Sequence, residues 1–551
     1  MTDMRLKLIA SSMAAMMAIG HFSAKTPMIE RRSQYPGLEQ WVDSVFAQLS
    51  EREKVAQLMM PVLAPADTAN LEGNLKILVG DERIGGLLVS KGTAAQYAAT
   101  VNRAQALSKV PLMISVDGEW GVSMRVTDAL LFPRNLIVGA VADDHLAYQY
   151  GREIARQCRL LGINVDFAPV LDVNTNPLNP VIGDRSLGES ARNVYRKGLT
   201  IAKGIEDGGV LSVAKHFPGH GSTSEDSHKT LPVVDKSLRD LQMVDLLPFR
   251  KYIDSGLGGV LTAHLFVPSL DSSSTPCSLS RKVVTDLLKG KIKFRGLVFT
   301  DALGMKGAQS ERSASVKALM AGNDVLLSPK NVPAEIDSVL NAVANGEILQ
   351  ADVDVRCRKI LQYKYMLHCH EFEPIDTVGI AGRLNSASSS DLLHKIADAS
   401  MTCFRNNASI LPLNEDGGVS VVKVAGCERF VECCLSHDGV KAYDFVYENS
   451  DVIILPVTGN DAYQCKLLQN ALRTGRKVVA VFFINPYKAA DMAESLNKEN
   501  LAAIMAYDRN AVAQESAAKA VFGEIAVDGK LPVSIVGVAK SGYGIKLKSK
   551  K

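Results

Sequence analysis

A short apolar run, Leu211-Ser212-Val213-Ala214, leads directly into Lys215-His216 and then into the turn-rich stretch Phe217-Pro218-Gly219-His220-Gly221. An apolar run that ends in polar residues and then in glycine and proline is typical of a buried β-strand entering a loop. The same theme, followed each time by a helical pattern, recurs from about Val55 to Pro329. The repetition predicts a series of βα units.

Eight runs of this kind can be counted along the region. They are Leu58-Leu63, Gly86-Ser90, Leu112-Val116, Val165-Leu171, Leu211-Ala214, Val260-Ala263, Leu297-Thr300 and Val325-Ser328. Their nearly continuous apolar character favours parallel strands that are buried on both faces. The predicted fold class is therefore α/β, with a (β/α)8 barrel of the TIM type.

Polar residues follow most of these strands. Asp117 follows the third strand, Asp172 the fourth, Lys215-His216 the fifth, His264 the sixth and Asp301 the seventh. The carboxyl ends of barrel strands converge on one mouth, where the loops carry the chemistry. A single Asp in such a place can equally be a helix cap, but five successive strands with polar ends favour a functional site.

The chain divides into parts by composition. Residues 33–372 are predicted to form the barrel domain, the polar stretch 373–395 a linker, and residues 396–551 a smaller α/β sandwich. The last part contains the apolar runs Val419-Val424, Val452-Leu455, Val478-Phe483 and Leu501-Met505.

The N-terminus resembles an export signal. Arg5 and Lys7 precede an apolar run from Leu8 to Gly20, which is too short for an ordinary membrane span. Residues 1–24 are predicted to be a signal peptide, and the mature protein to lie in the periplasm or cell envelope without a stable membrane span. The alternative is an apolar N-terminus of a cytoplasmic protein.

The charge balance argues against a nucleic-acid-binding protein, and the spacing of His and Cys argues against a zinc site. The 551 residues contain 62 Lys and Arg against 59 Asp and Glu, and this balance argues against nucleic acid as a partner. His368-Cys369-His370 lacks the second pair of ligands that zinc requires. We predict neither a metal nor a cofactor.

The loop after the fifth strand carries two ionisable groups near its far end. Asp226 and His228 are two residues apart, so the carboxylate can hydrogen-bond the imidazole and orient it. Gly219 and Gly221 would allow the loop to close over a ligand. A phosphate-cradling loop is the alternative, but the G-x-x-x-x-G-K-[ST] pattern is absent.

Asp301 ends the seventh strand, in Phe299-Thr300-Asp301-Ala302-Leu303. A rigidly held, ionised carboxylate can attack the anomeric carbon of a sugar. Its alternative role is to cap the following helix.

Further charged side chains are suited to binding sugar hydroxyls, and Trp120 to flanking the apolar face of a sugar. Alternatively, Arg185 pairs with Asp184 and Trp120 belongs to the core. Glu119 and Asp172 are candidates for supporting the site. The charged candidates are Asp117, Arg125, Arg185, Lys215 and His216.

Three segments together resemble glycoside hydrolase family 3, and in particular its β-N-acetylglucosaminidase branch. They are K-H-F-P-G-H-G-S-T-S-E-D-S-H from Lys215 to His228, G-D-R-S-L-G-E from Gly183 to Glu189, and T-D-A-L-G-M from Thr300 to Met305. The sequence departs from the branch at Gly118-Glu119-Trp120-Gly121 and at Ala302.

The resemblance implies a retaining exo-β-N-acetylglucosaminidase. Asp301 would be the nucleophile, His228 the general acid/base and Asp226 its orienting partner, while Asp117, Arg125, Arg185, Lys215 and His216 would bind the terminal sugar. The implied substrate is a saccharide or muropeptide that ends in N-acetylglucosamine.

Three alternatives stay open at this point. They are a β-glucosidase or β-xylosidase of the same family, a catalytically inactive saccharide-binding protein of the envelope, and a lyase or aldolase that uses Lys215.

Overall fold

The computed structural model describes residues 27–225, 231–308, 312–413 and 417–550. The predicted signal peptide at residues 1–24 lies outside these ranges, as do Asp226 and His228. In the part of the chain so described, no helix is long and apolar enough to cross a membrane.

The first part of the chain is a closed barrel of eight parallel strands. The strands are β1 in two pieces (Met59–Met60 and Val62–Leu63), β2 (Gly86–Val89), β3 (Met113–Val116), β4 (Val165–Asp166), β5 (Leu211–Phe217), β6 (Gly259–Thr262), β7 (Leu297–Thr300) and β8 (Leu326–Leu327). Each strand pairs with the next, β8 pairs with the first piece of β1, and the bridge between Phe299 and Val325 joins β7 to β8.

Two strands differ most from the sequence-based prediction. β5 runs three residues further than predicted, so that Lys215 and His216 belong to the strand itself. β4 is shorter than predicted, although the bridge between Val170 and Lys215 continues its path. Pro169, which lies between the two pieces, has no amide hydrogen to donate to a neighbouring strand.

Helices cover the outside of the barrel. Three of them begin or continue as wider π-helical turns, at Lys76–Asp81, Leu241–Asp245 and Lys282–Lys291. The α-helices are α1 (Leu38–Phe46), α2 (Glu51–Ala56), α3 (Thr68–Leu75), α4 (Ala94–Leu107), α5 (Asn135–Ala140), α6 (Asp144–Leu160), α7 (Ala191–Asp207), α8 (Leu238–Asp240), α9 (Leu246–Asp254), α10 (Ala314–Ala321), α11 (Val332–Ala344) and α12 (Gln350–Met366).

Two helices connect the barrel to the second domain. They are α13 (Ile380–Leu384) and α14 (Ala387–Ser400), and both begin within the predicted linker. Arg156 of the barrel donates hydrogen bonds to the carbonyls of Arg383 and Leu384 and to Ser389 Oγ. This connection is therefore packed against the barrel.

The second domain contains one six-stranded sheet. Its strands are β9 (Thr402–Asn406), β10 (Val419–Val422), β11 (Val440–Tyr443), β12 (Val452–Val457), β13 (Lys477–Phe482) and β14 (Leu501–Met505). Their order is β9-β14-β13-β12-β10-β11, and only β9 runs antiparallel to its neighbour.

Helices cover both faces of this sheet. One apolar core includes α15 (Glu428–Leu435) and α19 (Ala511–Phe522). The other includes α16 (Ala462–Arg473), α17 (Pro486–Ala489) and α18 (Ala493–Leu496). The predicted architecture, a TIM-type barrel followed by a smaller α/β sandwich, is confirmed.

The mouth of the barrel packs against the second domain. The Asn174 side-chain amide donates to Tyr487 Oη at 2.8 Å, and Glu189 Oε2 accepts a hydrogen bond from the Ser534 amide at 3.0 Å. Ile137 and Ala140 of α5 belong to an apolar core of the second domain. The loops at the carboxyl ends of the barrel strands are thereby held against the second sheet.

Candidate active site

Asp301 lies directly after β7, at the mouth of the barrel. Its backbone amide donates to the carbonyl of Thr262 in the neighbouring strand at 2.9 Å, and its Oδ1 accepts a hydrogen bond from the Ala302 amide at 2.8 Å. The side chain is partly exposed. A carboxylate held by a strand end on one side and open to solvent on the other can meet a ligand with little reorganisation.

Lys215 of β5 holds two carboxylates together. Its Nζ lies 3.0 Å from Asp117 Oδ1 and 2.8 Å from Glu119 Oε1. Arg125 Nη2 donates to the other oxygen of Asp117 at 2.8 Å. Because Lys215 is only 3% exposed, these ion pairs compensate the cost of burying its charge.

Arg185 forms a bidentate ion pair with Glu119, at 2.9 Å through Nε and 2.7 Å through Nη2. The same guanidinium lies 3.2 Å from His216 Nε2, and His216 Nδ1 lies 2.7 Å from Asp172 Oδ2. A guanidinium can only donate, so His216 accepts at Nε2 and carries its proton on Nδ1. Asp172 thus orients the imidazole.

The charges of this network settle its protonation states. Burial works against ionisation of Asp117 and Glu119, but Lys215 with Arg125 or Arg185 outweighs it and lowers the pKa of both carboxyl groups. Burial alone would lower the pKa of Lys215 and of Arg185, but the neighbouring carboxylates raise both. The pocket therefore presents fixed charges at neutral pH.

Asp301 is also held in its ionised form. Burial alone would raise its pKa, but His264, His216 and the hydrogen bond from the Ala302 amide together lower it below the ordinary value. A carboxylate that stays ionised near neutral pH is competent as a nucleophile.

His264 is a buried residue of the barrel that supports the turn after β7. Its ring nitrogens lie 2.6 Å from Ser278 Oγ and 3.1 Å from the carbonyl oxygen of Ala302. Burial lowers the pKa of its imidazole. It lies beside Asp301 and is fully engaged in hydrogen bonds.

Two further groups escaped the sequence analysis. His220 Nδ1 lies 2.8 Å from Thr223 Oγ1, and burial lowers its pKa to about 4. Among the atoms that the structure describes, its Nε2 has no hydrogen-bond partner. Asp166 accepts a hydrogen bond from the Gly118 amide at 2.9 Å, and burial raises its pKa to about 7. The sequence offered no signal for Asp166, because its contact joins segments 48 residues apart, and none for the burial of His220, which depends on the tertiary fold.

The structure brings the five predicted sugar-binding residues into one network that also includes Glu119. It places Asp301 at the same end of the barrel, but Asp226 and His228 lie outside the described residues. The sugar-binding residues are Asp117, Arg125, Arg185, Lys215 and His216.

Two alternatives raised by the sequence are decided by the structure. Trp120 is buried and has the Arg134 guanidinium over its ring at 4.0 Å, so the hypothesis that it flanks a sugar is wrong. The suggested pair of Arg185 with Asp184 is also wrong, since Arg185 pairs with Glu119 while Asp184 faces Arg134 at 3.8 Å. Over the ranges given above, no cluster of three His, Cys, Asp or Glu side chains could hold a metal ion.

Comparison with known proteins points to one family. The sequence model of the glycosyl hydrolase family 3 N-terminal domain matches residues 50–363. β-Hexosaminidase A of Pseudoalteromonas piscicida is 30% identical over 436 residues, which are 74% of this chain and 70% of the relative. β-Hexosaminidase LpqI of Mycobacterium tuberculosis is 36% identical over 333 residues, 56% of this chain and 81% of that protein.

A solved structure agrees over both domains. The family 3 β-N-acetylglucosaminidase of Paenibacillus sp. str. FPU-7 superimposes with a TM-score of 0.73 at 26% identity. The match covers 88% of this chain and 99% of that one. The likeness thus includes the second domain as well as the barrel.

Proposed function

The chain belongs to glycoside hydrolase family 3, and from this premise we propose that it is a retaining, exo-acting β-N-acetylglucosaminidase. That it is a glycosidase acting on β-linked sugars follows from the family and from its β-hexosaminidase relatives. The narrower proposal rests above all on the ionised carboxylate of Asp301, which ends a barrel strand beside a network of sugar-binding charges.

The proposed reaction has two steps. In the first, a carboxylate oxygen of Asp301 attacks the anomeric carbon and the glycosidic bond breaks, while His228 gives its proton to the leaving oxygen. In the second, water attacks the same carbon, His228 takes a proton from it, and the ester to Asp301 breaks. Asp226 orients His228 in both steps.

Sugar binding is assigned to the network around Lys215. Asp117 can accept hydrogen bonds from sugar hydroxyls, and Arg125 and Lys215 can donate to their oxygens. His216 takes part through Arg185, whose guanidinium donates to its Nε2. Because these groups are already paired with one another, they are held in position before the sugar arrives. The Asp117 side chain is 24% exposed, so its carboxylate can also accept hydrogen bonds from a sugar.

The proposal is tested by trapping the covalent intermediate. The wild-type protein, treated with a 5-fluoro N-acetylglucosaminyl fluoride, should gain the mass of one fluorinated sugar, and peptide mapping should locate it on Asp301. Asp301→Asn should not be labelled, whereas Asp254→Asn, at an exposed aspartate ending α9, should label like wild type. Labelling of another carboxylate would overturn the assignment of the nucleophile.

The acetamido preference is tested separately. We expect 4-nitrophenyl β-N-acetylglucosaminide to be hydrolysed with a higher kcat/KM than the corresponding glucoside or xyloside. Equal or better hydrolysis of the glucoside would favour the β-glucosidase alternative, and sugar binding without turnover would favour the inactive saccharide-binding protein.

We further propose that the protein acts in the periplasm or cell envelope. Its substrates there would be peptidoglycan fragments. The basic and apolar pattern of residues 5–20 supports export. Cell fractionation with N-terminal sequencing of the mature chain tests it, and an intact N-terminus in the cytoplasmic fraction would contradict it.

A further inference from the structure

A groove of about 580 Å³ lies at the end of the barrel opposite the mouth. Arg295, just before β7, lines one side of it, and residues of α12 line another. The remaining wall comes from the 3-10 helix Met28–Gln34. Arg295 precedes the amino end of β7 while Asp301 follows its carboxyl end. The groove and the candidate active site therefore lie at opposite ends of one strand.

The groove is rich in positive charge. Its lining contains one acidic side chain, Glu30, against four cations. Three of the cations have an acidic neighbour, whereas Arg295 forms no ion pair within the described ranges and donates instead to the carbonyl of Lys289 at 3.2 Å. The three ion pairs are Arg32 with Glu39 at 3.8 Å, Arg358 with Asp43 at 2.5 Å and Lys359 with Asp324 at 2.8 Å.

The chain that leads into β7 extends this charge over the outer surface. In the stretch Lys289-Gly290-Lys291-Ile292-Lys293-Phe294-Arg295, every second residue is basic. Lys289 is neutralised by Asp324 at 3.0 Å, but Lys291 and Lys293 are exposed and, like Arg295, have no ion pair in the part of the chain that the structure describes. Charges without acidic partners attract an external anion.

An exposed apolar side chain lies among these charges. Val355 of α12 lines the groove and is 66% exposed, and the half-buried Ile29 lines it as well. Surfaces that bind membranes combine basic side chains, which are attracted to anionic headgroups, with apolar ones that enter the boundary of the acyl chains. A soluble polyanion would gain no comparable contact from Val355.

The N-terminal segment joins the barrel beside the same groove. The described chain starts at Pro27, and Ile29 and Arg32 line the groove. The apolar run from Leu8 to Gly20, which predicts an export signal, ends seven residues before Pro27. Seven residues span at most about 25 Å when extended. While that run lies in a membrane, the groove end of the barrel is therefore held within reach of the membrane surface.

We propose that this surface binds the anionic surface of a lipid membrane. It is defined by Arg32, Lys291, Lys293, Arg295 and Val355 and is called the basic face. The cations contact headgroup phosphates, and Val355 enters the headgroup layer. Because the mouth lies at the other end of β7, the candidate active site points away from the membrane and stays accessible to saccharides. The inference goes beyond the proposed activity and does not depend on it.

Co-sedimentation with lipid vesicles tests the proposal. The full chain, as purified from cells that express it, should bind vesicles of equimolar phosphatidylcholine and phosphatidylglycerol but not vesicles of phosphatidylcholine alone. Each basic side chain near an anionic surface contributes roughly a fivefold change in partitioning, so Lys291→Gln/Lys293→Gln/Arg295→Gln should lower binding about a hundredfold.

A matched control removes the same number of charges elsewhere. Lys441→Gln/Lys466→Gln/Lys498→Gln, at three exposed lysines of the second domain, should bind the vesicles like wild type. Both triple variants should keep the wild-type kcat/KM toward the nitrophenyl substrate, which shows that they fold. Equal loss of vesicle binding in both variants, or no loss in either, would overturn the assignment to the basic face.

Val355→Ser distinguishes a membrane from a soluble polyanion. It should weaken vesicle binding about fivefold, because part of the apolar side chain is no longer buried, and leave binding to duplex DNA unchanged. If wild type binds duplex DNA as tightly as the vesicles and Val355→Ser changes neither, the partner is a polyanion and the lipid assignment fails.

Two further outcomes would also overturn the proposal. Vesicle binding that persists at high salt in the variant of the basic face would belong to the apolar run at residues 8–20 instead. Absence of binding by wild type would dismiss the membrane contact alone, because sedimentation and turnover are measured separately and the glycosidase proposal would stand.

Discussion

Asp172 decides which nitrogen of His216 carries the proton. Its two oxygens accept hydrogen bonds from His216 Nδ1 at 2.7 Å and from the His220 amide at 2.7 Å. An asparagine offers one acceptor and one donor, so Asp172→Asn would set two donors against each other at one of these contacts.

We expect Asp172→Asn to lower kcat/KM by about one to two orders of magnitude, because an unsatisfied buried hydrogen bond costs about 1–3 kcal/mol. Steady-state kinetics on the nitrophenyl substrate measures it. Asp254→Asn, far from this contact, is the control, and unchanged kinetics in Asp172→Asn would show that the orientation of His216 does not matter.

Asp166 makes the stability of the barrel depend on pH. Its folded-state pKa of about 7 is raised by burial, whereas an unfolded aspartate titrates at about 4. Between these values the folded protein keeps a proton that the unfolded chain has lost, so this group makes the free energy of unfolding fall as pH rises.

Asp166→Asn removes that dependence while keeping an acceptor for the Gly118 amide. The variant's free energy of unfolding minus that of wild type should therefore increase from about pH 4 to about pH 7, by up to about 1.4 kcal/mol per pH unit, and level off at higher pH. Urea unfolding of both proteins across this range measures it. Parallel curves would contradict a raised pKa at Asp166.

The loop that leaves β5 is packed tightly against the loop that leaves β4. A Cβ atom added to Gly221 would lie 1.9 Å from the carbonyl oxygen of Val173. This contact fixes the course of the chain before Asp226 and His228.

Gly221→Ala must therefore displace backbone at the barrel mouth. We expect a loss of about 1–3 kcal/mol in stability and a lower kcat at a similar KM, because the acid/base loop would start from the wrong position. Gly73→Ala is the control: Gly73 lies in α3 with open space around its Cβ position, and alanine there should stabilise by about 0.5–1 kcal/mol. Equal activity of Gly221→Ala and wild type would mean that the loop tolerates the displacement.

The strands were predictable because buried parallel strands have an unmistakable apolar composition. The end of β5 was not, because a lysine in a sequence pattern indicates the surface. Lys215 stays in the strand since Asp117 and Glu119, distant in the sequence, neutralise it. Glu119 was predicted to support the site, but its partners Lys215 and Arg185 lie on two other segments of the chain and could not be predicted.

The contact between the two domains could not be foreseen. Glu189, Asn174 and Ile137 look like ordinary loop and helix residues of the barrel, yet each contacts the second domain. Their partners, among them Tyr487 and Ser534, lie 313 and 345 positions away from Asn174 and Glu189. No local sequence pattern predicts such pairs.

Glu189 is the clearest test of this contact. Glu189→Ala leaves the Ser534 amide without its acceptor, and we expect a loss of about 1–3 kcal/mol in stability together with faster proteolysis at the domain junction. Limited proteolysis followed by mass spectrometry measures it. Glu448→Ala, at an exposed glutamate of the second domain, is the control and should be cut at the wild-type rate. Cleavage of Glu189→Ala at that same rate would mean that the contact does not hold the domains together.

Because the carboxyl ends of both parallel sheets meet at one seam, their amino ends point away from that seam. Lys293, shortly before β7, and Gly475, shortly before β13, are exposed on the amino-end sides of their strands. A linker to a solid support or a fused partner attached at either residue would leave the seam free for incoming saccharide. Attachment beside Asn174 would obstruct it.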